Sequence, residues 1–328
     1  MSTDIWLWTG FILFVLTVLT LDLWVFHRRA HVVSLREAAT WVAVWVSLAL
    51  TFSIGVFHWR GTIAGWEFLT GYVIEWSLSM DNVFVFALVF SYFAVPPQYQ
   101  HRVLFWGILG AIIMRGIFIF LGVTLLHYFH WLIYFFGGFL LFSGIKFVLH
   151  RGVEVHPERN PAVKLARRFL LLTPSYEGQR FITRQKGHLV ATPLLLVLVT
   201  VEFTDLIFAV DSIPAILAIT QDPFIVYTSN IFAILGLRML YFLVAGLIRM
   251  FRYLKTGLGL LLCFVGAKMM LSGVYDIPVT WSLLVIVLLV GTPILVSLAT
   301  DMKQARQPRS LPLQGSVGSS VGPEEGKE

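Results

Sequence analysis

Apolar residues in this chain come in long unbroken runs, and nine of the runs are about as long as a bilayer is thick. Their approximate limits are 5–26, 38–58, 68–93, 103–126, 131–150, 191–219, 226–249, 257–273 and 279–300. A run that is apolar all round predicts a helix with no water-facing stripe. Nine of them predict an all-α polytopic membrane protein, because in lipid a helix satisfies its own backbone hydrogen bonds. The first run does not read as a cleaved leader, since no basic segment precedes it and it carries Asp22 near its end. Four stretches follow from the pattern. Residues 1–150 hold five membrane helices, 151–190 form a basic cytoplasmic loop, 191–301 hold four more helices, and 302–328 read as a disordered cytoplasmic tail.

Composition narrows the class. The chain is 58% hydrophobic and 13% charged, with a mean hydropathy of +0.82, which no soluble domain of 328 residues would show. A net charge of +6 could suit nucleic acid, but the placement of the charges argues for a membrane instead. Nineteen Lys and Arg residues fall in the loops and tail of one side, against Arg60 alone on the other. The positive-inside rule then puts the N-terminus outside and the C-terminus in the cytoplasm, and all ten stretches outside the helices agree with nine crossings. The expected setting is a bacterial inner membrane, crossed many times. Nucleic acid is not an expected partner. The lipid bilayer is, and a cytoplasmic protein could dock on loop 151–190. Cys263 is the single cysteine, so neither a disulfide framework nor a thiolate metal site is available.

The pattern also repeats. Segment three contains Glu75-Trp-Ser-Leu-Ser-Met-Asp81-Asn82, and segment six contains Asp205-Leu-Ile-Phe-Ala-Val-Asp211-Ser212. Each reads acid, five residues, Asp, then a small amide or hydroxyl. Downstream, Ile108-Leu109-Gly110 leads to Arg115 as Ile234-Leu235-Gly236 leads to Arg238, and Gly144-Ile145-Lys146 is matched by Gly266-Ala267-Lys268. Segments 3–5 therefore echo segments 6–8. Three crossings per unit is an odd number, so the two units run in opposite senses across the membrane. Inverted repeats with polar residues at mid-span point to a transporter whose site lies where the repeats meet.

The mid-span residues carry the candidate chemistry. A carboxylate at the centre of a membrane helix costs roughly 2.5–3.5 kcal/mol on insertion scales. If the units pack about a pseudo-twofold axis, Glu75, Asp81, Asp205 and Asp211 converge near the midplane. Glu202 shares a helical face with Asp205, and Asn82 and Ser212 add neutral oxygens. Six residues turn a helix through about 600°, so the two acids of each pair point about 120° apart. Pro214 offers a partial answer for the second pair, since it removes a hydrogen bond to the Val210 carbonyl and can break the helix beside Asp211. Arg115 and Arg238 are the basic groups at similar depth and read first as internal ion-pair partners. Lys146 and Lys268, near segment ends, read as interfacial. All nine histidines lie in loops or at segment ends. Oxygen donors without thiolate or imidazole suit Mn, Mg or Ca. Clustered carboxylates raise one another's affinity for protons, so exchange of protons for a divalent ion is the expected coupling.

Leu69 through Val85, Val201 through Pro214 and Thr228 through Arg238 together give the chain a specific resemblance to the TerC family of integral membrane proteins, over roughly residues 5–300. The overall pattern resembles most the family's Alx-like branch. The resemblance implies manganese efflux, with the family's acidic positions carried onto Glu75, Asp81, Glu202, Asp205 and Asp211. On this reading Mn(2+) is cargo, with no catalytic residue and no cofactor, and the chain is not an enzyme. The alternative is a membrane scaffold or assembly factor of a stress or metal-resistance complex. A scaffold would carry its distinctive residues in loops, whereas this chain carries them at mid-membrane.

Overall fold

The computed structural model describes residues 2–26, 33–149, 172–185, 188–245, 254–275 and 277–306. Among them nine helices follow one another in the order the apolar runs predict. They are α1 (Ser2–Phe26), α2 (Leu35–Arg60), α3 (Thr62–Tyr92), α4 (Pro97–Tyr128), α5 (Leu132–Leu149), α6 (Pro193–Leu217), α7 (Pro223–Ala245), α8 (Leu254–Leu271) and α9 (Val279–Arg306). The chain is an all-α polytopic membrane protein. Helices α2 to α7 and α9 are long and apolar enough to cross a bilayer, and α1 and α8 hold the shorter apolar stretches Ile5–Leu21 and Thr256–Leu271.

The helix starts are written in the sequence. Ser34 and Glu37 form a capping box at α2, each side chain taking up the other's backbone N–H. Pro97, Pro193 and Pro223 open α4, α6 and α7, where a missing N–H removes no helical bond. Asp222 caps α7 by accepting from the amides of Phe224, at 2.9 Å, and Ile225, at 3.4 Å. Hydroxyls inside the helices bond back to the preceding turn, as Thr200 does to the Leu196 carbonyl and Thr204 to that of Thr200.

Two expectations change. Helix α6 runs through Pro214 to Leu217 without a break, because so near the helix end the proline removes one bond and leaves the next turn intact. Helix α9 continues to Arg306, into the stretch expected to be tail, since Met302 to Arg306 are good helix formers and the first proline is Pro308. The expectations for residues 151–171 and 307–328 lie outside the described residues.

Helix α7 is the centre of the bundle. Nearly all of its apolar span is buried, against α2, α3 and α4. Phe11, Phe52, Phe68, Phe224 and Phe232 form an aromatic cluster that ties α1, α2 and α3 to α7, with neighbouring ring centroids 4.8 to 6.4 Å apart. On the rim, Ile54, Phe120, Phe142 and Leu295 stay more than 60% exposed, as lipid-facing residues would. The longest contact is between α5 and α8, the third helices of the two repeats.

Between α5 and α6 the described residues hold a two-stranded sheet. Strand β1 (Ile182–Gln185) pairs antiparallel with β2 (His188–Ala191), with Ile182 opposite Ala191 and Gln185 opposite His188. Tyr176 donates its hydroxyl to the Phe93 carbonyl at 2.7 Å, which fastens the segment before β1 to the end of α3. Glu177 accepts from the Gln185 amide at 2.8 Å, and hydrogen bonds to Thr183 and Gln185 hold its carboxyl below the usual range.

Candidate cation site

Three helices from the two repeats bring the buried polar residues together. Glu75 and Asn82 come from α3, Arg115 from α4, and Asp205 and Ser212 from α6. Glu75 and Arg115 have no exposed surface, and Asp205 is 3% exposed. Arg115 grips Asp205 with two nitrogens: Nε to Oδ2 at 3.3 Å and Nη2 to Oδ1 at 3.1 Å. Its Nη1 forms an ion pair with Glu75 Oε1 and donates to Ser212 Oγ at 3.2 Å. Asn82 Nδ2 completes the cluster by donating to Asp205 Oδ1 at 3.3 Å. Charge-assisted two-point contacts of this kind are the strong class, and a buried carboxylate without them would be costly.

The repeat explains which residues meet and which do not. Asp205 and Ser212 are seven residues apart, two helical turns, so they share a face and both reach Arg115. Asp211 lies on a neighbouring face, as its spacing from Asp205 requires. It accepts from Ser143 Oγ of α5 at 3.1 Å and stands within the electrostatic reach of Lys146. Glu202 lies against Gly110 of α4, where an added Cβ would collide with the Glu202 carboxylate. The Asp81 side chain lies outside the described residues. Among the described residues no three His, Cys, Asp or Glu side chains stand close enough to hold a metal ion.

A cleft runs beside this cluster. Glu75, Asn82, Arg115, Asp211 and Ser212 line it together with apolar residues of α5 and α8, and its free space, mouth included, is ≈ 360 Å³. Asp211 thus faces the same space as Glu75 although the two make different bonds. Glu75 Oε2 has no hydrogen-bond partner among the described residues. Asp205 also lines a second, smaller cleft with Arg238 on its far side. The arginines are not equivalent. Arg115 follows its repeat glycine by five residues and Arg238 by two, an offset of about 4.5 Å along the helix.

Other residues here carry weaker sequence signals. Ser143 supports Asp211, and only its place before the repeated Gly144-Ile-Lys146 hints at it. Glu67 of α3 accepts from Thr220 at 2.8 Å and feels the charge of Lys268. Lys268, in the last turn of α8, is 8% exposed. Asn230 of α7 is fully buried with both amide atoms unpartnered among the described residues. Its neighbours Thr228 and Ser229 bond to their own helix.

Fold and site together define a multi-pass helical membrane protein with a buried ionic cluster among α3, α4 and α6. The comparisons with known proteins agree, and the chain belongs to the TerC family: the profile described as "Integral membrane protein TerC family" matches residues 60–306. An uncharacterized membrane protein of Myxococcus xanthus is 54% identical over 292 residues, which cover 89% of this chain and 92% of that one. Proteins named Alx, described as candidate membrane-bound redox modulators, are 49% identical in Salmonella typhi and 48% in Escherichia coli K12. Each match covers 84% of this chain and 89% of the relative. No solved structure matches.

Proposed function

We propose that this chain is a carrier that exports divalent metal cations, with Mn(2+) as its cargo, in exchange for protons. One observation carries the reading: acids, an amide and a hydroxyl from α3 and α6 meet, buried, around Arg115 in the middle of α4. Hard oxygen donors favour Mn(2+), Mg(2+) and Ca(2+) over Cu or Zn. A site between inverted units is where rocking of one unit against the other exposes it to each side in turn. Nine helices argue for the inner membrane of a bacterium, since outer-membrane proteins span as β-barrels.

The description of the Alx relatives adds a redox reading. For that role this chain offers one thiol, Cys263, packed against Gly144 of α5. A thiol–disulfide cycle inside one chain needs two, so cation export is the better-supported reading. A scaffold reading would rest on loop 151–190.

The test is manganese content in bacteria lacking other manganese exporters. Cells carrying the wild type or Cys263→Ser should hold manganese low and grow in its excess. Cells carrying Asp211→Asn should accumulate it. Equal manganese content with and without the wild-type protein would refute export, and loss of function in Cys263→Ser would favour the redox reading.

A further inference from the structure

Arg115 occupies the place a cation would take. Its guanidinium contacts four oxygens: Glu75 Oε1, Asp205 Oδ1 and Oδ2, and Ser212 Oγ. These come from both repeats, and all are hard donors of the kind a divalent ion selects. A metal and the guanidinium cannot both hold them. We propose that Arg115 is a resident cation, which the transported ion displaces from Glu75 and Asp205 and which returns to drive the ion off. This rests on the reading of the chain as a cation carrier.

Three observations support the exchange. Arginine stays charged under all conditions a cell offers, so it cannot vacate the site by losing a proton. It must move as a charge, and an incoming charge is what compensates the acids it leaves. Arg115 is fully buried, so the two carboxylates would otherwise be left without a countercharge in a desolvated interior. The cleft supplies the approach. Glu75, Asn82, Arg115, Asp211 and Ser212 line one space, and Glu75 Oε2 has no hydrogen-bond partner among the described residues, so an ion arriving there stands beside both the acids and the guanidinium. Of these, Asp211 makes no bond to Arg115: it accepts from Ser143 and lines the same space.

The exchange makes a prediction opposite to that of a purely structural arginine. Removing a structural ion-pair partner weakens a site, whereas removing a resident competitor tightens it. The experiment is calorimetric titration of the purified full chain with Mn(2+), for the wild type, Arg115→Gln and Arg115→Lys, alongside manganese transport in liposomes. Arg115→Gln should bind Mn(2+) at least tenfold more tightly and transport at under a tenth of the wild-type rate, because nothing drives release. Arg115→Lys keeps the charge but loses the fork, so it should bind more tightly than the wild type by a smaller factor. Its compact charge also keeps the protein testable if the glutamine variant fails to fold. If the wild type carries Mn(2+) and neither folded variant binds it more tightly, displacement is refuted while export stands. Mn(2+) binding by Arg115→Gln with none by the wild type, and no transport, would refute both export and displacement, since no ion then displaces the native arginine. No binding by any of the three refutes both.

Discussion

Gly144 of α5 and Gly259 of α8 touch backbone to backbone: a Cβ on Gly144 would stand 2.7 Å from the Gly259 carbonyl oxygen. A second contact mirrors it. A Cβ on Gly266 would stand 2.7 Å from the Gly137 carbonyl oxygen. The repeat makes Gly144 the counterpart of Gly266 and, seven residues earlier on each helix, Gly137 the counterpart of Gly259. Exchanging the units therefore turns one contact into the other, as a pseudo-twofold axis between α5 and α8 demands. Small residues let membrane helices approach this closely.

Gly144→Val should push α5 and α8 apart, since the obstacles are the backbone of Gly259 and Cys263 rather than a movable side-chain tip. Overpacking of this kind costs about 1–3 kcal/mol. Thermal unfolding of the detergent-solubilised protein should shift several degrees downward. Gly138, with nothing within 4 Å of an added Cβ, should accept Ala or Val with no shift. Equal melting of both variants would contradict the close crossing.

Gly110 and Gly236 hold the same place in the two units but face different neighbours. An added Cβ at Gly110 would displace the Glu202 carboxylate, whereas at Gly236 it would meet Trp45 Cβ at an ordinary 3.6 Å. Gly110→Ala should slow manganese transport several-fold at unchanged thermal stability, because the flexible acid moves and the backbone does not. Gly236→Ala should leave transport alone. Paired transport and melting measurements check both, and equal transport by the two variants would separate Glu202 from the ion path.

The partition of basic residues predicts opposite exposure for two fusion points. A reporter joined after Arg306 should register on the cytoplasmic side, and one joined after Asp222 on the far side. The same side for both would break the inverted repeat.

Most of the fold is legible in the sequence because lipid leaves a spanning chain few options. All nine apolar runs became helices, with ends within six residues of their expected limits, whereas the packing of α5 on α8 is not read from the repeat. What the pattern could not give is rotation of each helix about its axis. The 120° between Asp205 and Asp211 is computable from spacing, yet only packing shows that one faces Arg115 and the other Ser143. Equating Arg115 with Arg238 hid a turn of difference, and a turn decides which arginine reaches Glu75. Lys268 reads as interfacial from its place near a segment end, but spacing does not show that it is also buried within reach of Glu67 on α3. Hydrogen-bond partners such as Ser143 and Thr220 carry no periodic signal, since a lone hydroxyl in an apolar run usually bonds to its own helix.

The central claim is that carboxylates of the second repeat bind and carry the metal. The direct measurement is the rate of radioactive manganese uptake by liposomes holding the purified protein, with a pH gradient imposed. The wild type is compared with Asp205→Asn and Asp211→Asn at equal reconstitution. Each change keeps the side chain's size but removes one negative charge from a desolvated place. The loss of even 1.4 kcal/mol of binding is tenfold. Uptake by each variant should fall at least tenfold and lose its dependence on the pH gradient. Wild-type rates in both variants would contradict the account.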